Sequence, residues 1–160
     1  MSPGIRYVLD LADPRGRFDR VDLIWAAVTL IAGQLAFVLG LWIMNASLLG
    51  WRGFLANLVF GWLGYAAISK RLHDLGHSSW WLLGCVLGWL AVALVLALAV
   101  ALIAGPDALE TGTPAFRATF SAVMLPAVVM ALWLHLAAGE PRANCYGPAP
   151  AHDSGALQPA

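Results

Sequence analysis

The sequence predicts an all-α, polytopic membrane protein: four transmembrane helices in a 2 + 2 hairpin bundle, with both termini in the cytoplasm. Three observations carry this expectation. First, 61% of the 160 residues are hydrophobic and only 11% are charged, against roughly 45–50% and ~25% in ordinary soluble domains. So few charges do not cover a water-soluble surface of this size. Second, the charges are segregated: eight of eighteen fall within the first 22 residues, and long uncharged stretches follow. Third, Lys and Arg concentrate on alternate connections between those stretches. The formal net charge is zero, which gives no electrostatic footprint for nucleic acid. A soluble globular enzyme, a DNA-binding module and a disordered chain are all excluded by these figures.

The elements follow in order. Residues 1–22 form a charged leader in which Ile5, Val8, Leu9 and Ala12 recur at helical spacing before Pro14. That pattern fits a short interfacial helix, and a segment this brief fits a disordered arm as well. The first membrane helix spans about 23–44, uncharged throughout, which at ~1.5 Å per residue covers a ~30 Å hydrocarbon core. Its apolar length and mixed-charge leader set it apart from a cleaved signal peptide, so it is expected to be retained. The second helix spans about 48–68 and is the least apolar, with Arg52 near its start. The third spans about 80–104 and the fourth about 116–138. Residues 139–160 form a tail, read as flexible beyond Pro148.

Orientation follows from the cations. Arg6, Arg15, Arg17, Arg20, Lys70, Arg71 and Arg142 fall on one face, and only Arg52 and Arg117 on the other. Positive loops resist translocation, so seven against two places the leader and the tail in the cytoplasm. Trp42, Trp51, Trp80 and Trp81 stand at the expected helix ends, where indoles prefer the headgroup level. Gly84 and Gly88 form a small-xxx-small pair suited to close helix packing. The four interiors hold few polar residues, notably Thr29, Gln34, Asn57, Ser121 and His135. Proton- and ion-coupled transport uses ionisable groups at depth, and their scarcity argues against it. Cys85 and Cys145 are far apart in sequence and do not make a disulfide framework.

The segment Lys70 to Trp81 carries the most information. Lys70, Arg71 and His73 suit the negative end of a helix, Gly76 suits the left-handed residue that ends one, and Ser78 or Ser79 suits the start of the next. Asp74 lies three residues from Arg71, on the same helical face. His73 and His77, four apart, have a metal-ligand spacing. Gly76 breaks the helix between them and no Cys or Glu completes the set, so no metal or other cofactor is expected.

The run Arg71, Leu72, His73, Asp74, Gly76, Ser78, Trp80 and Trp81 resembles the signature of the family called domain of unknown function 805. Gly16, Arg17 and Arg20 ahead of the first helix are similar to that family's pattern, as are Asn144, Tyr146, Gly147 and Pro148 after the last. The likeness spans about residues 15–150. His77 stands where the family often has another polar or basic residue, Ser79 where Gly is common, and the aromatic start of the first helix is reduced to Trp25. The resemblance implies a small bacterial inner-membrane protein with four helices, and it carries no catalytic roles.

On this reading Arg17, Arg20, Arg71, His73, Asp74, Asn144 and Tyr146 share the cytoplasmic face as one polar cluster, with Asp74 paired to Arg17, Arg20 or Arg71. The cluster would lock leader, turn and tail together, and arginines at a membrane surface also suit a protein partner or an anionic headgroup. The expected function is non-enzymatic. A small-solute or lipid-handling pore or transporter, working as a homo-oligomer, is the alternative. Nucleophile elbows and phosphate loops are missing from the sequence, and the expected contacts are the bilayer and a protein partner or second copy, with no nucleic acid.

Overall fold

The computed structural model describes residues 3–47 and 50–150, and among these the ordered structure is helical. The helices are α1 (Pro3–Ala12), α2 (Arg20–Ile43), α3 (Trp51–Asp74), α4 (Trp80–Ala104) and α5 (Pro114–Leu136), with a 3-10 turn at Pro106–Leu109. Among the described residues α2, α4 and α5 are long and apolar enough to cross a membrane. α3 matches α2 in length at 24 residues, but Arg52, Asn57 and the charged last turn dilute it. Large apolar side chains point outward along α2, α3, α4 and α5, among them Ile31, Leu35, Leu58, Leu94 and Val129. So large an apolar surface marks contact with lipid or another protein, and on helices long and apolar enough to cross a membrane it marks lipid. This is a multi-pass membrane protein in contact with a bilayer.

Helix ends explain where the sequence boundaries shifted. Asp19 caps α2, its Oδ1 accepting from the Asp22 N–H at 2.7 Å, so the helix starts three residues before the apolar stretch. α3 runs six residues past Ile68, because a helix continues through Lys70 to Asp74 where hydrophobicity has already ended. Gly76, at φ +75°, closes it in a Schellman turn: the His77 N–H donates to the Leu72 carbonyl at 2.8 Å and the Gly76 N–H to His73 at 3.1 Å. Asn45 (φ 51°) ends α2 in the same way, with Ala46 donating to Leu41. The leader's periodic residues do form a helix, α1, which stops before Pro14. The tail past Pro150 lies outside the described residues.

By its internal contacts the chain divides into two compact units, Met1–Ser78 with Ala137–Ala160, and Ser79–Leu136. In the first, α2 and α3 pair as an antiparallel hairpin through rings such as Phe37 and Phe60, whose centroids are 6.4 Å apart. In the second, α4 and α5 pair across the 3-10 turn, and Thr113 caps α5 by accepting from the Phe116 N–H at 3.0 Å, with Pro114 at the first helical position. Pro126 removes one donor from α5, loosening the carbonyls one turn before it. Trp89 of α4 bonds to the main chain one residue past the Ala122 carbonyl that Pro126 leaves without its helical donor: its indole N–H donates to the Val123 carbonyl at 2.7 Å.

Among the described residues, no atom beyond the adjoining turns of α4 lies within 4 Å of where a Cβ would stand on Gly84 or Gly88. Trp89 joins α4 to α5 through its bond to Val123, and an apolar hollow of about 290 Å³ opens beside it, lined by residues including Cys85, Gly88, Trp89, Pro126 and Met130. Polar side chains inside the helices turn back on their own backbones. Thr29 donates to the Trp25 carbonyl at 2.8 Å and Asn57 to Gly53 at 2.9 Å, while the His135 ring meets Ala131 at 2.7 Å. Trp42, Trp51, Trp80 and Trp81 are exposed at helix ends. Trp89→Phe keeps the ring and deletes the bond to Val123; it is expected to weaken the protein by about 1 kcal/mol, measured by denaturant unfolding in mild detergent.

Candidate functional site

The site forms where α3 ends. An α-helix leaves its last carbonyls without intrahelical donors and carries a partial charge of roughly −0.5 there. Asp74 adds a full negative charge at that same end, which by itself is unfavourable. Two arginines reverse the balance. Arg17, from the loop between α1 and α2, brings Nη2 to 2.8 Å and Nε to 3.1 Å from Asp74 Oδ1. Arg71, one turn back on α3, brings Nη1 to 2.5 Å from Oδ2. All three side chains are closed to solvent, at 1%, 1% and 0% exposure.

The surplus positive charge is spread over main-chain oxygens. Arg17 Nη1 donates to the carbonyls of Arg142 (2.7 Å) and Gly147 (3.4 Å), and Nη2 also donates to Glu140 (2.5 Å). All five N–H groups of Arg17 are therefore used. Arg71 Nη2 donates to the Ala137 carbonyl at 2.6 Å and Nη1 reaches that of Phe18 at 3.4 Å. A planar guanidinium fits such a fan of acceptors where an ammonium would not.

Leader and tail also cap α3 directly. The Phe18 N–H donates to the Lys70 carbonyl at 3.2 Å, and the Glu140 N–H to that of Asp74 at 2.8 Å. Asn144 Nδ2 donates to the His73 carbonyl at 2.9 Å and to Glu140 Oε2 at 2.7 Å. Its Oδ1 accepts from the Tyr146 N–H at 3.0 Å, and Asn144 and Gly147 exchange backbone bonds that fold the tail into a tight turn. Tyr146 is thereby laid flat on His73, rings 4.0 Å apart and parallel within 1°. The phenol's pKa is raised above its ordinary value, by burial first and then by the neighbouring Cys145. His73 in turn has Nδ1 at 3.1 Å from the Gly16 carbonyl, which ties the ring to the leader.

Six of the seven residues singled out in the sequence thus meet in one cluster: Arg17, Arg71, His73, Asp74, Asn144 and Tyr146. Arg20 does not. It is exposed on the first turn of α2, turned away because Asp19 takes the buried capping position. Sequence reasoning missed Glu140, whose carboxylate holds Asn144, and set Lys70 at the helix end without foreseeing that it is buried and donates to the Asp10 carbonyl at 2.6 Å beneath the Phe18 ring. A lone acid after the last apolar segment and a second cation beside Arg71 were the signals available for them. Gly139 was missed too: a Cβ there would run into the Asp74 carboxylate, as one on Gly76 would into that of Glu140. Among the described residues no three His, Cys, Asp or Glu converge as a metal set.

A multi-pass membrane protein with a buried Arg–Asp–Arg cluster at one helix end is the class this fold and site define. Comparison with family models then gives the particular family. The model described as "Protein of unknown function (DUF805)" matches residues 11–148, and the chain belongs to that family. Comparison with curated proteins and with solved structures returns no match. Residues 11–148 take in the whole cluster, from the leader loop to Gly147.

Gly139→Ala forces a methyl against a carboxylate that two arginines hold in place, so the protein is expected to lose stability in the 1–3 kcal/mol range of overpacked sites. Arg17→Lys keeps the charge but strands carbonyls of the tail, at about 1–3 kcal/mol for each buried group left unpaired. Thermal unfolding in detergent checks both, with Arg20→Ala expected to stay within about 0.5 kcal/mol of the parent.

Proposed function

We propose that the protein is a non-enzymatic, four-pass bacterial inner-membrane protein, with leader and tail in the cytoplasm, whose Arg17–Asp74–Arg71 cluster clamps leader, central turn and tail into one ordered cytoplasmic face. The single observation that carries this reading is the fully buried Asp74 carboxylate, held by one arginine from the leader and one from α3, while the remaining N–H groups of both go largely to tail carbonyls. Buried ion pairs add little net stability over apolar packing, and removing one partner is strongly destabilising. Their value here lies in fixing which segments meet.

The fourth pass is supported by the hairpin itself. α2 departs from Arg20 and α3 returns to Asp74, and Phe18 is bonded to Lys70. If α2 crosses, a partner of equal length that comes back to the starting point crosses as well, despite its weaker hydropathy. The chain then leaves this face at Ser78 and rejoins it at Ala137, as an even number of passes requires. The docking part of the reading rests on Arg15, Arg20 and Arg142, whose side chains stay exposed around the clamp and suit the phosphates of anionic lipid or an acidic partner surface.

Asp74→Asn leaves two buried guanidiniums facing an amide. The expected result is a loss of about 3–5 kcal/mol together with protease access to the tail near Arg142 in intact, inside-out vesicles; unchanged stability and a still-protected tail would end the clamp reading. For topology, alkaline phosphatase is expected to be active when fused between Gly105 and Thr113 and inactive when fused after Pro148. The opposite pattern refutes the orientation.

A further inference from the structure

We propose that α1 is an in-plane membrane helix, seated in the leaflet on the clamp's side with Ile5, Val8 and Leu9 turned into the acyl boundary. The placement follows from what pins it. The Trp62 indole N–H donates to the Ala12 carbonyl at 2.9 Å, the Lys70 ammonium to the Asp10 carbonyl at 2.6 Å, and the Ser69 hydroxyl to that of Pro14 at 3.4 Å. Leu11 is buried at the same place. Trp62 lies twelve residues before Asp74, roughly 18 Å along the α3 axis at ~1.5 Å per residue. The end of α1 is therefore held alongside the second half of α3, between Trp62 and Lys70, and not beyond the helix end where the clamp sits. At the deeper end of that stretch α3 presents the exposed face of Trp62 to lipid, and Leu58 and Val59 continue it one turn further in.

The free face of α1 continues that surface. Ile5, Val8 and Leu9 fall on one helical stripe and are 54%, 49% and 57% exposed. Arg6 and Asp10 occupy a separate stripe, an arrangement that lies in the headgroup boundary with its apolar side sunk ~5–10 Å. The same seat accounts for Lys70. Its side chain is 3% exposed, a costly state for a cation at membrane depth unless a counter-charge comes with it. α1 supplies that charge, with Asp10 Oδ1 at 3.4 Å, and the Phe18 ring covers the ammonium at 4.4 Å. The occupant of the apolar stripe is thus the lipid surface, with Arg6 and Arg15 at phosphate level on either side of it.

The test uses the full chain in vesicles of equal parts phosphatidylcholine and phosphatidylglycerol, with Cys85→Ser and Cys145→Ser removing both native thiols. A nitroxide is attached at Val8→Cys or, for comparison, at Asp13→Cys; both positions are exposed, so neither disturbs a core. The label at position 8 is expected to show a severalfold lower collision rate with a water-soluble nickel chelate than the label at 13, and a higher rate with oxygen. Equal nickel access at the two positions means that α1 stands in water and overturns the proposal. Protection of position 8 from nickel and oxygen together means that protein covers the stripe, and overturns it as well. A clamp lost through Asp74→Asn with the label still immersed would separate this inference from the proposed function.

Discussion

Asp74 sits at the negative end of a helix, where a carboxylate has least reason to be, and the described polar architecture of the first unit follows from making that position tenable. One guanidinium from the leader and one from α3 over-compensate the charge. The excess then requires acceptors, and the tail provides them as main-chain carbonyls from Ala137 to Gly147. The capping carbonyls of α3 draw in Phe18, Glu140 and Asn144 by the same logic. Three segments far apart in sequence converge because one buried charge cannot be satisfied by any of them alone.

Such a device suits a bilayer. Lipid is as apolar as a leucine face, so hydrophobicity holds the helices in the membrane without choosing their neighbours. The outward apolar residues of α2, α3, α4 and α5 do the first task. Register falls to polar contacts: the cluster around Asp74 for the leader, hairpin and tail, and the Trp89 indole on the Val123 carbonyl for the α4–α5 pair. Each is a bond whose loss would strand a donor or acceptor away from water, which is why a few of them suffice.

The fold was largely legible in the sequence, since apolar length and charge segregation act locally. The third apolar stretch reads Trp80–Ala104 and the helix has those bounds; Gly76 was marked as a helix end and closes a Schellman turn. Boundaries moved where helix and hydrophobicity part company, as at Arg20 and between Ile68 and Asp74. The small-residue pair Gly84 and Gly88 permits a close approach without calling for one, and no other described helix comes within 4 Å of where their Cβ atoms would stand. Within the cluster, the side chains carried a signature but their acceptors did not. A carbonyl at Glu140 or Arg142 looks like every other carbonyl in the chain.

What the sequence by itself determined is the solvent this protein needs, the helical class, and the residues that had to find partners, because transfer free energy and charge are properties of each side chain. Only the tertiary structure decided which partners they found. It chose Arg17 over Arg20, placing one guanidinium beside Asp74 and leaving the other exposed three residues away. It also laid α1 against Trp62 and Lys70, giving a buried lysine its counter-charge from the leader. Those choices depend on backbone carbonyls brought together across as many as 130 residues of chain, and no local pattern encodes where a carbonyl will point.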